Sequence, residues 1–328
     1  MKALVTGGAG FAGSHLAAHL LQLGYNVVLV DRPESDLRRV QNLLGWVKLE
    51  PCDLLDFERL RRIMADVSPE RIFHLAAFSS VVESLRSPRE CYAANFDGTL
   101  NLLEAWREIE FDTRVLLVSS SDVYGRPAER EMPLRETSPL RPASHYGTSK
   151  LAAELLGAEY AHSHGLHVVT VRPFQHTGPG QSPEFVCSGL ARQIAEVVCG
   201  MRPPALTVGN PNICRDFSDV RDIVRGYALV LERGTPGEAY QLCSGRAVSV
   251  GGIIQLLTEA VARPIEVQID PSKARGGESS AIWGDSEKAR SETGWEPAFQ
   301  LTATLRDLLA DWVGRLRENA TSGSAGSQ

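Results

Sequence analysis

The sequence predicts an α/β fold: a doubly wound parallel sheet joined to a smaller mixed α/β lobe. Three observations carry this. Over the first half of the chain, short strands that are apolar throughout alternate with amphipathic helical stretches, the pattern of a parallel sheet covered on both faces. The chain has 328 residues, more than one hydrophobic core usually serves, since cores stop growing near ~250–300 residues. The alternation fades after Arg172, which assigns the extra length to a second lobe. An apolar content of 43% excludes disorder as the main state.

In chain order, strands are expected at 3–5, 27–30, 46–49, 71–75, 114–118 and 167–171. Helices are expected at 11–23, 57–64 and 90–108, with a further one opened by Tyr146. Residues 173–183 are rich in Pro, Gly and polar side chains and read as a loop. Then follow a helix (185–199), a strand (205–208), a helix (219–231), a strand (239–242), a helix (251–261), a strand (265–267) and a final helix (301–317). The first domain is therefore drawn as 1–172, with 216–242 and part of 300–317 returning to it. The second lobe comprises 173–215 and 243–299, and the small polar segment 319–328 is expected to be a disordered tail.

The charge balance, 34 basic against 40 acidic side chains, argues against nucleic-acid binding, which normally shows a basic domain. No apolar run approaches the ~20 residues of a membrane span. The segment before the first glycines is too short for a signal peptide. The six cysteines are scattered without a C-x-x-C pair, so neither a disulfide framework nor a zinc site is expected. A cytoplasmic location with reduced thiols follows. His162, His164 and His167 cluster in sequence, but two-apart spacing does not share a helix face. They read as a solvated helix end, and no metal is expected.

Gly7, Gly10 and Gly13 sit directly after the first strand and open a helix. Such glycines permit a tight turn and close approach of backbone to a pyrophosphate, while the helix N-terminus supplies free N–H groups. Asp31 ends the second strand, eighteen residues after Gly13, where a carboxylate reaches adenosine ribose hydroxyls. The lobe is thus expected to be a Rossmann-type dinucleotide-binding domain. Asp31 favours NAD(H), because a 2′-phosphate would meet a like charge; the adjacent Arg32 leaves NADP(H) possible. Asp53, after the third strand, reads either as an adenine contact or as a helix N-cap.

Tyr146 and Lys150 are four apart at the start of a helix and so share a face. A free tyrosine has a pKa near ~10, and a neighbouring ammonium lowers it. Ser119, Ser120 and Ser121 end the fifth strand, at the carboxyl edge where ligands bind in open α/β sheets. Beside a dinucleotide turn, this combination reads as a proton-transfer site.

Together with His74-Leu75-Ala76-Ala77, Asn95-Phe96-Asp97-Gly98-Thr99 and Ser120-Ser121-Asp122-Val123-Tyr124-Gly125, these motifs resemble the extended short-chain dehydrogenase/reductases: the sugar-nucleotide epimerases, dehydratases and reductases. The resemblance runs from about residue 2 to 312. It implies that Tyr146 is the acid/base, that Lys150 binds the nicotinamide ribose and tunes Tyr146, and that Ser120 bonds the reacting sugar oxygen. It implies cofactor contacts from Gly7, Gly10, Phe11, Ala12, Gly13, Asp31, Arg32, Asp53 and Leu54, and from Leu75, Ala76, Ala77, Asn95 and Pro173. It also implies a homodimer through a four-helix bundle formed by 90–108 and 144–164.

After Arg172, the segment Arg172-Pro173-Phe174-Gln175-His176-Thr177-Gly178-Pro179-Gly180-Gln181, then Arg215-Asp216-Phe217-Ser218-Asp219 and Gly294-Trp295-Glu296-Pro297 are similar to GDP-4-keto-6-deoxymannose reductases. This implies a nucleotide-diphosphate sugar partner whose 4-keto group is reduced. Gln175 stands where the family usually has Asn. Arg192, Arg215 and Arg275 match arginines that hold the diphosphate, a task suited to a guanidinium fork; surface ion pairing is the alternative. Glu278 matches a residue that binds nucleotide hydroxyls. Ser121 and His176 are expected to contact substrate, and Phe185 and Val186 either line the cleft or pack in a core.

The activity expected is reduction of GDP-4-keto-6-deoxy-D-mannose to GDP-D-rhamnose. Asp122, two residues after Ser120, keeps a GDP-mannose 4,6-dehydratase open and counts among the candidate catalytic residues. A 4-epimerase with tightly bound NAD is also open. A binding protein that only senses dinucleotide would be signalled by a missing Tyr or Lys, and both are present.

Overall fold

A computed structural model describes residues 1–108, 112–261, 264–273 and 279–325. The first lobe comprises β1 (Lys2–Thr6), α1 (Phe11–Gln22), β2 (Asn26–Asp31), β3 (Lys48–Pro51), α2 (Phe57–Val67), β4 (Arg71–His74), α3 (Val81–Arg86), α4 (Pro88–Tyr92), α5 (Gly98–Arg107), β5 (Arg114–Val118), α6 (His145–His164) and β6 (His167–Pro173). Beyond it lie β7 (Gln175–Thr177), α7 (Val186–Val198), β8 (Ala205–Val208), β9 (Cys214–Asp219), α8 (Val220–Arg233), β10 (Ala239–Leu242), β11 (Ala247–Ser249), α9 (Val250–Thr258), β12 (Glu266–Ile269), β13 (Ala281–Ile282), α10 (Glu287–Thr293) and α11 (Leu301–Ala325).

Seven strands form the main sheet in the order β10-β6-β5-β4-β1-β2-β3, every pair parallel. The inner strands are buried on both faces, which is why β1, β2 and β5 run apolar over consecutive positions (3–5, 27–30, 115–118) rather than alternating; the edge strand β3 keeps Lys48 and Pro51 exposed. Ala3 and Val5 of β1 join Leu16, Leu20, Ile223 and Tyr227 of α1 and α8 on one face. Leu4 joins Leu60, Ile63, Leu102 and Trp106 of α2 and α5 on the other. The helix expected at 90–108 is interrupted by a π-turn at Ala93–Asp97 between α4 and α5. The third strand lies two residues later than expected, leaving Trp46 outside it and 78% exposed.

The second lobe holds a sheet of β11-β9-β13 with β7 on β9, and a β8–β12 pair. Its core unites α7, α9 and α11 through Leu190, Ile194, Ile253, Leu308 and Trp312. The packing divides the chain differently from the sequence reading in three places. Residues 300–317 do not return to the first lobe, because Leu305, Leu308, Leu309 and Trp312 lie at helical spacing and pack in the second core. Ala289 and Trp295, drawn in the second lobe, sink into the first core; the Trp295 indole N–H donates to the Asp222 carbonyl at 2.8 Å. The segment 173–183, read as loop, contains β7, whose partner β9 is a polar strand without alternation. α11 also runs through Ala325, past residue 317 and into the expected tail, since a helix already nucleated extends cheaply; residues 326–328 lie outside the described set. All six cysteines are free thiols. Among the described residues no helix is long and apolar enough to cross a membrane.

Candidate active site

The turn after β1 is built for close approach. Gly7 has φ +69°, and a Cβ there would lie 2.7 Å from the Ala76 nitrogen. A Cβ on Gly13 would lie 2.1 Å from the Gly7 carbonyl oxygen. Gly10 is the N-cap of α1 and offers no side-chain cap, so the first-turn N–H groups are left to an external acceptor. A cradle that any side chain would fill, with uncapped N–H groups beneath it, fits a dinucleotide pyrophosphate. Phe11 and Ala12 form that first turn; the Phe11 ring stacks on His176 at 6.0 Å. Asp31 closes the cradle, accepting from the Ala9 N–H at 2.9 Å and the Ser35 hydroxyl at 2.6 Å. Arg32 pairs with Glu34 at 3.4 Å on the surface.

Leu75, Ala76 and Ala77 leave β4 beside this turn, with the Ala76 N–H on the Thr6 hydroxyl at 3.3 Å. His74 bridges Thr6 at 2.8 Å and Thr99 at 2.9 Å. Burial, with Lys150 nearby, lowers its pKa to about 3, so it is a neutral clamp across β1, β4 and α5. Three residues expected to contact the cofactor make these contacts within the chain. The Asp53 carboxylate accepts from the Leu55 N–H at 2.9 Å, a local turn cap and not the cap of α2, which is Asp56. The Leu54 side chain packs in the core under α2 and α5. Asn95, turned inward by the π-turn, uses its amide on the Phe78 backbone at 2.7 and 3.2 Å and on the Ser149 hydroxyl at 2.9 Å. Pro173 ends β6 opposite Leu242.

At the carboxyl edge of β5, a 3₁₀ turn at Ser121–Tyr124 is capped by Ser120. It rests on the first turn of α6 at Gly147, where a Cβ would lie 2.6 Å from the Asp122 carbonyl oxygen. This seats the Ser120 hydroxyl beside Tyr146, where it favours the phenolate. The Ser120 hydroxyl donates to the Asp122 carboxylate at 3.1 Å. Burial, and then the Asp122 charge, push the Tyr146 pKa up, while the Ser120 hydroxyl pulls the other way. The expected lowering by Lys150 is not among these influences. Its ammonium donates instead to the Val118 carbonyl at 2.8 Å, and burial lowers its own pKa to about 8. The site thus offers a protonated phenol, a hydroxyl and a buried amine beside a dinucleotide cradle.

A family model described as GDP-mannose 4,6 dehydratase matches residues 4–308. The GDP-6-deoxy-D-mannose reductase of Pseudomonas aeruginosa is 34% identical, over 97% of this chain and 99% of its own. The solved structure of RMD from Pseudomonas aeruginosa complexed with NADPH superposes with a TM-score of 0.85, covering 96% of this chain and 99% of that one at 34% identity. The UDP-glucose 4-epimerase of Thermus thermophilus, in complex with NAD, has a TM-score of 0.85 at 29% identity, covering 96% and 99%. This chain belongs to the GDP-mannose 4,6-dehydratase family.

That family is one of the extended short-chain dehydrogenase/reductases, and the second lobe holds most of the residues expected to contact substrate. Here β7 carries Gln175, whose amide oxygen is buried without a hydrogen-bond partner. His176 turns Nδ1 to the Phe174 carbonyl at 3.0 Å, and burial lowers its pKa. Ser121 is buried in the 3₁₀ turn. Phe185 and Val186 open α7 and are 44% and 40% exposed, so they are not core residues. Arg192 pairs with Glu196 at 2.9 Å and lies over Trp312. Arg215 donates to the Cys214 and Ser279 carbonyls at 2.8 and 3.0 Å. Arg275 and Glu278 lie outside the described residues.

Sequence reasoning missed the polar layer behind the serine turn. Arg172, 5% exposed, forms a buried pair with Glu154 of α6 and donates to the Tyr124 hydroxyl at 2.8 Å. The signal was present, since one charge inside an apolar strand needs a buried partner. Arg39 was also missed. It donates to the Gly180 carbonyl at 2.8 Å and so ties the loop after β2 to the loop after β7. No local pattern marks a contact across 141 residues.

Proposed function

We propose that the chain is a nucleotide-sugar 4-ketoreductase that converts GDP-4-keto-6-deoxy-D-mannose to GDP-D-rhamnose. The observation that carries this reading is the Tyr146–Ser120 pair, with Lys150 behind it, at the sheet edge next to the dinucleotide cradle. The 34% identity to a GDP-6-deoxy-D-mannose reductase over nearly both whole chains supports the choice of substrate. Reduced nicotinamide, when bound, supplies the hydride. Tyr146 delivers its proton to the oxygen of the former ketone as negative charge develops there, and Ser120 orients that oxygen. Lys150, still a cation at neutral pH and held by the Val118 carbonyl, would take the nicotinamide ribose. Arg192 and Arg215 hold the diphosphate, and the unpartnered Gln175 amide oxygen takes a sugar hydroxyl.

Relatives are seen with NADPH and with NAD. We assign this chain a preference for NAD(H), because every arginine of the Asp31 loop already has a partner: Arg32 on Glu34, Arg38 on Asp36, Arg39 on Gly180. Asp31→Ala should therefore raise the NADPH-to-NADH ratio of kcat/KM about tenfold, the worth of one removed like charge. A cytoplasmic homodimer completes the reading: six free thiols fit that compartment. Exposed Leu155 on α6 and Leu85 on α3, which packs against α6, supply apolar surface for a helix-to-helix contact.

The dehydratase reading rests on the Asp122 carboxylate. The test is a panel: GDP-4-keto-6-deoxymannose with NADH or NADPH, against GDP-mannose and UDP-glucose with NAD or NADP. Cofactor oxidation with the keto sugar alone supports the reductase. Loss of water from GDP-mannose, or inversion of UDP-glucose at C4, replaces it.

A further inference from the structure

Residues 178–181 follow β7 and are held from both lobes. From α1, His15 donates through Nε2 to the Pro179 carbonyl at 2.8 Å, since a carbonyl only accepts. From the loop after β2, Arg39 donates to the Gly180 carbonyl at 2.8 Å. On the second-lobe side the Gly180 N–H donates to Asp311 of α11 at 3.0 Å, and the Ser188 hydroxyl of α7 donates to the Gln181 carbonyl at 2.8 Å. The loop lies close on α1: a Cβ at Gly180 would sit 3.9 Å from the Phe11 ring. That ring also stacks on His176 of β7, with planes 8° apart. Gln181 clamps the end of β7, accepting from the Thr177 hydroxyl at 2.6 Å and donating to the His176 carbonyl at 2.8 Å. Both first-lobe anchors belong to elements that would take the dinucleotide. His15 lies one turn past Phe11 on α1, whose N-terminus faces the pyrophosphate, and Arg39 is on the loop that Asp31 opens. The strand they hold carries Gln175.

We infer that His15 and Arg39 are positioning residues that couple the two ligands. A dinucleotide that orders the start of α1 and the Asp31 loop also orders the 178–181 loop and β7, and so raises the affinity for the nucleotide sugar. This rests on the nucleotide-sugar reading of the second lobe. The two side chains act through the loop and β7 rather than on the sugar. The coupling is entropic: a second ligand that meets an already ordered segment gives up less freedom on binding. Linkage makes it reciprocal, so the sugar nucleotide tightens NADH by the same factor. Anchors that merely held the lobes together would weaken both ligands when removed and leave the factor between them unchanged.

The test is binding rather than turnover. GDP-mannose, which has the nucleotide diphosphate and a sugar but no keto group, is titrated by calorimetry into wild type, Arg39→Ala, Arg39→Lys and His15→Ala, each with and without saturating NADH. Wild type should bind GDP-mannose about tenfold more tightly with NADH present, and NADH alone should slow hydrogen exchange at the Gly180 amide. Arg39→Ala and His15→Ala should each cut the factor to about threefold or less and abolish that protection. Arg39→Lys, which keeps a donor at similar reach, should restore most of it. A wild-type factor near one overturns the coupling, as does a full factor in both alanine variants, even where each ligand alone binds more weakly. GDP-mannose that binds neither with nor without NADH removes the nucleotide-sugar reading itself, and the coupling with it.

Discussion

At the hydroxyl of Tyr146, burial and the Asp122 carboxylate both favour the neutral phenol, the form that donates a proton. Tyr146→Phe should lower kcat by about 10²–10⁴-fold, the usual share of general acid catalysis, while NADH binding, followed by cofactor fluorescence, stays near wild type. Lys150 sets the alkaline limit. With its pKa lowered to about 8 by burial, it loses its charge as pH rises through 8, and kcat/KM for reduction should fall there. The fold responds with the opposite sign. Between about 8 and the ordinary lysine value near ~10.4, the unfolded chain holds a proton that the folded chain has shed, so this group makes the fold more stable as pH rises. Activity lost near pH 8 with no drop in melting temperature identifies Lys150; a parallel drop points to unfolding. The spacing of Tyr146 and Lys150 was legible because four residues share a helix face. The Val118 contact and the pull of Asp122 were not, because they depend on how a strand end and a 3₁₀ turn meet that helix.

The elements that place these groups were legible where periodicity is strong. The main strands fell close to where apolar runs put them, because a strand buried on both faces has a plain sequence signature. β9 escaped, since Cys-Arg-Asp-Phe-Ser-Asp has no alternation and Asp216 is buried by bonds to Ser244 and Gly245. So did the π-turn, an added residue in an otherwise helical run; such turns often mark functional sites. Two substitutions test the element level. Gly147→Ala pushes the Ser120–Asp122 turn off α6 and should cost kcat about 100-fold or more, as misplaced catalytic groups do, with little change in NADH affinity. Glu154→Gln leaves the Arg172 guanidinium buried without its counter-charge. It should lower stability by about 3–5 kcal/mol, read from urea unfolding. An unchanged midpoint would show that Tyr124 and the Glu136 carbonyl suffice.

On the scale of the whole molecule, length proved more informative than charge. The residues beyond one core built the second lobe, though α11 and α10 divided themselves between the lobes by packing rather than by sequence order. The net charge of −6 says little about a site whose proposed ligands are polyanions held by a few arginines. The lobes meet where Gly180 takes Arg39 from one side and offers its N–H to Asp311 from the other, at 3.0 Å, so the loop that follows Gln175 and His176 of β7 is tied to both. The central claim is that hydride passes from the cofactor to C4 of a keto sugar with a proton from Tyr146. Its most direct test is reduction of GDP-4-keto-6-deoxymannose with NADH deuterated at nicotinamide C4 on the transferring face, followed by mass and NMR analysis of the sugar. The prediction is one deuterium at C4 of the product for each cofactor oxidised. A product without deuterium, or sugar turned over with no net oxidation of cofactor, would contradict it.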